Sequence, residues 1–572
     1  MAVRSGRGFR FMKHKVLGKL VGNTGDAARL TMVVQDSFSV RRGEFVRIMH
    51  QERIDEAVVS ILGRVTRIHR SNMLFNAGFG DGVTDLELLP GAHVTGENMF
   101  ANLELIGYRD PISRQIKIPR RPLDPGVAVE TVDFQFLSDF YEFNEFTSLH
   151  IGNLVGYERG ENTVPIFLDI NKLVTEHVAV LAMTGSGKSY TIGRIIERLV
   201  ALNNGTVVVF DPHGEYGKAM AKGQLNFSAD KNGFDDLRDR ETLPKIQMMF
   251  ERLQKVGAGI QVYTPQNETF KFKYAGHNMM LALQFDHFEM DDVAEILPGL
   301  TEPQQRVLDV AMRYWRTADK AEPRDINRLR HLLGDGIDEL RNWDDLSDAE
   351  SRALNGRSAA VASMKLSRVL NEAQSFYSAT MEAPTDIYLM IGRPSNMQGR
   401  LVIIDLQGLS DTAKQVVCAL ISSEILRAAS SKTDFLRPCF LVYEEGHSFA
   451  PAGGKAVSHR IIKKIAGEGR KFGVGFAIVS QRPSKLDPDV TSQCNTLITM
   501  RLKNPDDQRF IAKASDMVSQ ADLDELPSLS TGEALVCGRS IPAPLLVKVG
   551  AKALIHGGES PDVLRAWGTF NG

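Results

Sequence analysis

Across 572 residues the chain has only four cysteines, three tryptophans and no uncharged apolar run of the length a membrane-spanning helix needs, about 18 residues. Cys418, Cys439, Cys494 and Cys537 stand far apart, mostly inside apolar stretches, and form no CxxC pair. That spacing argues against zinc and dithiol-redox sites and reads as buried free thiols in a reducing compartment. The start, MAVRSGRGFRFMKHK, is basic but lacks the apolar core of a secretion signal. A cytoplasmic protein without a membrane partner is therefore expected. Charge of one sign is scarce too: 68 Lys and Arg stand against 70 Asp and Glu, a net charge of −2. That balance excludes a wholesale basic coat, but a basic lining inside a ring or cleft is invisible to such a sum. Neither internal repeats nor low-complexity tracts stand out. His69, His150, His177 and His447 have no metal-ligand spacing, which favours core or surface roles.

What is present is a globular chain long enough for about two to four domains. Residues 1–150 carry short β-rich segments broken by Gly, Asp and Asn, among them 43–50, 58–70 and 132–141, with NAGFGDG at 76–82 as a turn. A small β-barrel or sandwich is expected there. From 151 to 284 the pattern becomes βα alternation, a helix-rich insertion follows at 285–375, alternation resumes over 376–550, and 551–572 form a tail. Thr301 and Gln304 are placed for a capping box at the head of one insertion helix. Alternating strands and helices predict a largely parallel sheet covered on both faces.

The alternation opens on HVAVLAM, a strand, followed by Thr184-Gly185-Ser186-Gly187-Lys188-Ser189-Tyr190 and a helix. This fits the phosphate-loop pattern, with Ala182 in the first glycine position, where a small residue suffices. Backbone N–H groups of the loop and helix start would cradle phosphates, Lys188 would bridge the β- and γ-phosphates, and Ser189 would ligate Mg²⁺. An acidic partner belongs at the carboxyl end of another strand. FLVYEE supplies Glu444 and Glu445, which we assign to metal binding and to general base; a solvated acidic pair opening a helix is the alternative.

Three further stretches, VVVFDPHGEY at 207–216, IAGEGRKFGVGFAIVSQRPSKLD at 465–487 and SQCNTLITMRLKNPDDQRFI at 492–511, join these two motifs. Together they resemble the HerA family of hexameric DNA translocases within the HerA/FtsK group of P-loop ATPases, over residues 150 to 550. The resemblance implies an α/β fold: a RecA-like P-loop ATPase core with an N-terminal small β-barrel and a helical insertion. It implies ATP and Mg²⁺ as cofactors, a homo-hexamer, double-stranded DNA, and a NurA-like partner nuclease or a defence effector enzyme. It makes Arg470 of EGRKFG an arginine finger for the neighbouring subunit, or else a helix-terminating cation, and makes Ser480 and Gln481 a γ-phosphate sensor, or else a buried pair closing backbone hydrogen bonds. For Asp211, His213 and Glu215 a structural turn is equally open. The basic clusters at 458–473 and 65–70 are candidate DNA-facing surfaces or solvated faces. Two other classes stay open: a nucleotide-regulated ring scaffold that activates an effector, and a conjugative or type IV secretion ATPase. Nothing in the chain resembles a nuclease.

Overall fold

The computed structural model describes residues 15–22, 24, 30–35, 40–52, 57–72, 97–142, 147–157, 163–217, 237–255, 259–264, 278–281, 293, 297, 299–317, 326–372, 385–395, 398–431, 436–515 and 517–554. The chain divides into two compact units: residues 1–144 with 153–166 and 541–545, and residues 145–152 with 167–540 and 546–572.

The first unit holds a six-stranded closed barrel. Strands Val16–Val21, Leu30–Val34, Phe45–His50, Val59–Asn72, Glu97–Arg109 and Ala128–Thr131 pair antiparallel, and Leu30–Val34 closes the ring by pairing with Glu97–Arg109. Alternation selects the interior: Leu30, Met32 and Val34 point inward while Thr31 and Val33 are half-buried. The pairing of the two longest strands shifts register at Leu62/Gly63 and Val65/Arg67, irregularities that let long strands curve around a small barrel. The stretches 43–50 and 58–70 form strands as expected. NAGFGDG lies outside the described residues. The stretch 132–141 differs: it forms helix Phe134–Phe140, because the Asp133 carboxylate accepts the Phe136 N–H at 2.7 Å and caps a helix that apolar alternation had concealed.

The second unit is built on a parallel sheet whose central order is Asn278–Met280, Ile260–Thr264, Arg400–Asp405, Thr206–Asp211, Cys439–Tyr443, Val474–Ser480, Val178–Leu181 and Thr496–Thr499, with Glu533–Gly538 added antiparallel. The central strands read as continuous apolar runs because both faces are covered. Helices Glu302–Thr317, Ile326–Leu332 and Gly356–Glu372 share one apolar core with the sheet and with helix Asp411–Ala429. Val307, Leu308, Ala311, Met312 and Trp315 lie in the buried stripe of the first, where a side chain such as Val307, Leu308 or Met312 contributes about 1.5–3 kcal/mol of burial. One arm of its expected capping box forms: Gln304 Oε1 accepts the Thr301 N–H at 3.1 Å. The four thiols are free and buried, and burial pushes Cys439 and Cys537 up to about 12, far from reactive.

His177 sits at the foot of the phosphate-loop strand, stacked on Phe476. Its Nδ1 accepts the Phe476 N–H at 3.3 Å, which leaves Nε2–H to donate to Ala466 O at 3.1 Å. Burial lowers its pKa to about 4. A depressed histidine binds fewer protons folded than unfolded, so its contribution is complete above pH 6.5 and is lost as pH falls toward 4. The difference is about 3 kcal/mol. The thermal midpoint is expected to fall over this window, and the slope to flatten in His177→Asn, whose side chain tolerates the residue's left-handed backbone. Equal slopes in the two proteins would refute the assignment.

Candidate active site

Three parallel strands bring the site together. Val178–Leu181 ends in the phosphate loop and Cys439–Tyr443 ends in Glu444 and Glu445. Between them runs Val474–Ser480, ending in Gln481, with Leu181 in register with Ser480 and Tyr443 with Ile478. Gln481 is thereby wedged between loop and acidic pair. Its Nε2 donates to Glu445 Oε1 at 2.7 Å, and its Oε1 accepts from Thr184 Oγ1 at 2.5 Å.

The loop is held by its neighbours. Ala182 N–H donates to Ser480 O, Met183 N–H to Arg501 O, and Ser186 Oγ to Met183 O at 2.6 Å. Gly187 adopts a φ of 103° and faces Met500, a conformation that a side chain would strain. Helix Lys188–Ala201 follows, and its first internal bond runs from Thr191 N–H to Gly187 O. The amides of Lys188, Ser189 and Tyr190 therefore belong to the first helical turn and have no intrahelical partner, the arrangement that binds anions. The Tyr190 phenol turns to the other side of the helix and accepts the Lys552 N–H at 2.7 Å, so its amide alone faces the phosphate position.

Lys188 reaches Glu445 Oε1 at 2.8 Å and Glu444 Oε2 at 3.3 Å. Burial alone would lower its pKa, but the two carboxylates hold it above the usual value. Burial raises Glu444, opposed chiefly by Lys188. Glu444 also accepts a hydrogen bond from the Tyr216 hydroxyl. Glu445 takes a left-handed backbone, φ 51° and ψ 45°, costing about 1 kcal/mol in a non-glycine residue. That kink points its carboxylate at Lys188 and Gln481 rather than along the strand. His447 Nδ1 lies 3.4 Å from Glu445 Oε2 and 3.1 Å from Ser480 Oγ, and burial lowers its pKa.

Asp211 ends the adjoining strand opposite Asp405. Its carboxylate accepts the N–H groups of Gly214, Glu215 and Tyr216 at 2.8, 3.1 and 2.9 Å, closing the turn that delivers Tyr216 to Glu444. Burial, together with the neighbouring Asp405, raises Asp211 to about 7. The turn reading of Asp211 is therefore visible here, whereas His213 and Glu215 only lend it backbone.

Arg470 is elsewhere. It follows helix His459–Glu468 in the turn Gly469–Phe472, at the amino end of strand Val474–Ser480. It is 61% exposed and lies 3.2 Å from Glu176, which also pairs with Arg539.

Two residues had no signal of their own in the sequence. Tyr216 is the last letter of DPHGEY, and His447 follows the acidic pair by two; only folding places them on the carboxylates.

Behind the loop, helix Lys188–Ala201 is fastened by a buried polar network. Asp239 accepts from Arg194 and Arg198 at 2.9 Å each and from the Ala551 N–H at 2.7 Å, and Glu197 accepts the Ala553 N–H at 2.9 Å. Burial alone would raise Asp239, but the two guanidiniums hold it well below the carboxylate range. Asp239→Ala leaves Arg194 buried with no carboxylate partner and Arg198 with Glu197 alone, 2.8 Å away, and it is expected to destabilise the unit by about 3–5 kcal/mol. A chemical-unfolding midpoint displaced by less than 1 kcal/mol, about the worth of an exposed ion pair, would contradict this.

The profile described as "Helicase HerA, central domain" matches residues 149–425. A probable helicase of Methanocaldococcus jannaschii is 30% identical over 419 residues, covering 71% of this chain and 72% of that protein. The chain belongs to the HerA helicase family. The DNA double-strand break repair helicase HerA of Pyrococcus furiosus is 28% identical over 570 residues, 93% of each chain. Among solved structures, the plasmid coupling protein TrwB with a non-hydrolysable ATP analogue matches at 14% identity and a TM-score of 0.48, over 75% of this chain and 95% of that one. As a HerA-family member the chain is an ATP-hydrolysing enzyme of the helicase and translocase class.

The residues at the loop and the acidic pair fit a hard divalent cation such as Mg²⁺. The donors are hard oxygens: the Glu444 carboxylate, which Lys188 now faces as a stand-in cation, and the Ser189 hydroxyl, which draws no hydrogen bond among the described residues. Among those residues no group of three His, Cys, Asp or Glu could hold a metal alone. No helix of the described residues is long and apolar enough to cross a membrane.

Proposed function

We propose that this chain is a Mg²⁺-dependent, homo-hexameric motor that moves along double-stranded DNA and works with a partner nuclease or a defence effector. The observation that carries the reading is the linkage Thr184–Gln481–Glu445–Lys188, a closed circuit between phosphate loop, sensor and base. Nucleotide entering the loop would draw Lys188 onto its phosphates, freeing Glu445 to accept a proton from water, while Glu444 and Ser189 are the residues that would hold the metal. Mg²⁺ supplies charge neutralisation at the transferred phosphoryl. Gln481 contacts both loop and base, so loss of the γ-phosphate changes its hydrogen bonds and hence the strand that carries it. HerA relatives named as DNA repair helicases support DNA as the track.

The test is ATP turnover by the purified protein with and without linear duplex DNA, alongside its assembly mass. Stimulation by DNA of a six-subunit species is expected. Turnover indifferent to DNA but altered by an effector enzyme would replace the motor by a regulated scaffold.

A further inference from the structure

Arg470 has company at the amino end of the sheet. Its partner Glu176 closes the short helix Ile170–Thr175, directly before the phosphate-loop strand, and its side chain is only 7% exposed. Each carboxylate oxygen meets a different guanidinium: Oε1 lies 3.2 Å from Arg470 Nη2, and Oε2 accepts from Arg539 Nη1 at 3.3 Å. Both arginines stand mostly in solvent, Arg539 at 58%. A single carboxylate between two guanidiniums leaves a net positive charge on this face.

Topology explains how Arg539 arrives there. Strand Glu533–Gly538 runs antiparallel to Thr496–Thr499, so its carboxyl end lies at the amino end of the parallel strands, and the last pair in the register is Thr496 with Gly538. Gly538 has a φ of 112°, and a Cβ there would collide with Asn495 O, so glycine is what lets the chain pass so close. The Arg539 N–H then donates to Asn495 O at 2.8 Å, while the Asn495 N–H donates to Glu176 O at 3.0 Å. The backbone of Arg539 is thereby pinned, whereas its guanidinium has Glu176 as its one partner among the described residues.

We infer that Arg539 is a second arginine delivered in trans, meeting the phosphate tail of the nucleotide held by the subunit that Arg470 faces. The inference rests on the ring reading and on Arg470 acting in trans. Arg539 does not reach its own nucleotide, because strand Val178–Leu181, about 13 Å long, separates this edge from the phosphate loop and outspans an arginine side chain. A triphosphate offers several anionic oxygens side by side, and two guanidiniums that share one carboxylate stand close enough together to engage them at once. A guanidinium has five N–H donors in a rigid fork. Each arginine can therefore keep one edge on Glu176 and turn its exposed edge to a phosphate, so that the buried carboxylate stays neutralised and acts as the holder of both.

The experiment uses full-length rings of verified mass. Arg539→Ala should lower kcat/KM for ATP by about 10–100-fold, the loss expected for one hydrogen-bonded contact between charged groups. Mixing then assigns the subunit. Co-expressed with Lys188→Ala subunits, Arg539→Ala subunits should rise above their own rate, because their intact phosphate loops meet neighbours with both arginines. Co-expressed with Arg470→Ala subunits they should not, because every donating face then lacks one arginine. The reverse pattern overturns the proposal in favour of a contact within one subunit. Glu176→Gln/Arg539→Ala asks whether the arginine only neutralises the carboxylate: the double variant should stay as slow as Arg539→Ala, and recovery to the wild-type rate overturns the proposal. Arg539→Ala subunits that no longer form rings overturn it in favour of a plain subunit contact. A full rate in Arg539→Ala beside an inactive Arg470→Ala removes Arg539 alone, whereas a full rate in Arg470→Ala removes the trans reading on which both stand.

Discussion

Glu445→Gln is expected to bind ATP normally and to turn it over about 10²–10⁴-fold more slowly, the range that general-base catalysis supplies. The amide keeps the shape of the carboxylate and can still meet Gln481, 2.7 Å away, but it cannot take the proton of an attacking water. Glutamine meets the same backbone constraint as glutamate at the left-handed position 445, so a refolded turn is not expected to account for the loss. Glu444→Gln should behave differently. That carboxylate faces Tyr216 and Lys188 rather than the sensor, so its loss should raise the Mg²⁺ concentration needed for half-maximal turnover. Nucleotide affinity, single-turnover hydrolysis and Mg²⁺ titrations of both variants check the assignment. The opposite pattern, a metal defect in Glu445→Gln and a chemical defect in Glu444→Gln, would exchange the two roles.

Lys188, Glu444, Glu445 and Gln481 could be proposed from the sequence because each lies within a few residues of the end of an apolar strand, and in a parallel sheet such strands end on the same edge. Their order across the sheet was not legible. Nothing local places the strand ending in Gln481 between the other two, yet that order lets one glutamine touch both Thr184 and Glu445. Tyr216 was hidden for the same reason, since its hydroxyl finds Glu444 only when Asp211 has gathered the turn around itself. In the first unit, alternation was read as strand at 132–141, where a single capping aspartate decides for helix. At the other end, residues 551–554 read as the start of a tail, but Lys552 is 1% exposed and its neighbours donate to Asp239 and Glu197. A charged side chain within a short stretch gives no periodic sign of burial, and the partners that make it affordable lie on a helix more than three hundred residues earlier.

Arg470→Ala is expected to bind ATP through its own phosphate loop but, in a uniform ring, to hydrolyse it about 10³–10⁵-fold more slowly. The reason lies in the sheet. Arg470 precedes the amino end of strand Val474–Ser480, while the phosphate loop lies beyond the carboxyl end of the adjacent parallel strand. A seven-residue strand spans about 23 Å, more than an arginine side chain can cross. A catalytic role for Arg470 therefore requires the site of another subunit, and its exposure and loose pairing with Glu176 leave it available for one. Mixing separates this from a merely structural role. Co-expressed with Lys188→Ala subunits, Arg470→Ala subunits supply an intact phosphate loop and their neighbours an intact arginine. In an equal random mixture about one junction in four is complete, so up to about a quarter of wild-type turnover should return if junctions fire independently. Both parents alone should stay near zero. Mixed rings of verified composition with no turnover above either parent would count against the trans assignment, and an isolated monomer hydrolysing ATP at the full rate would eliminate it.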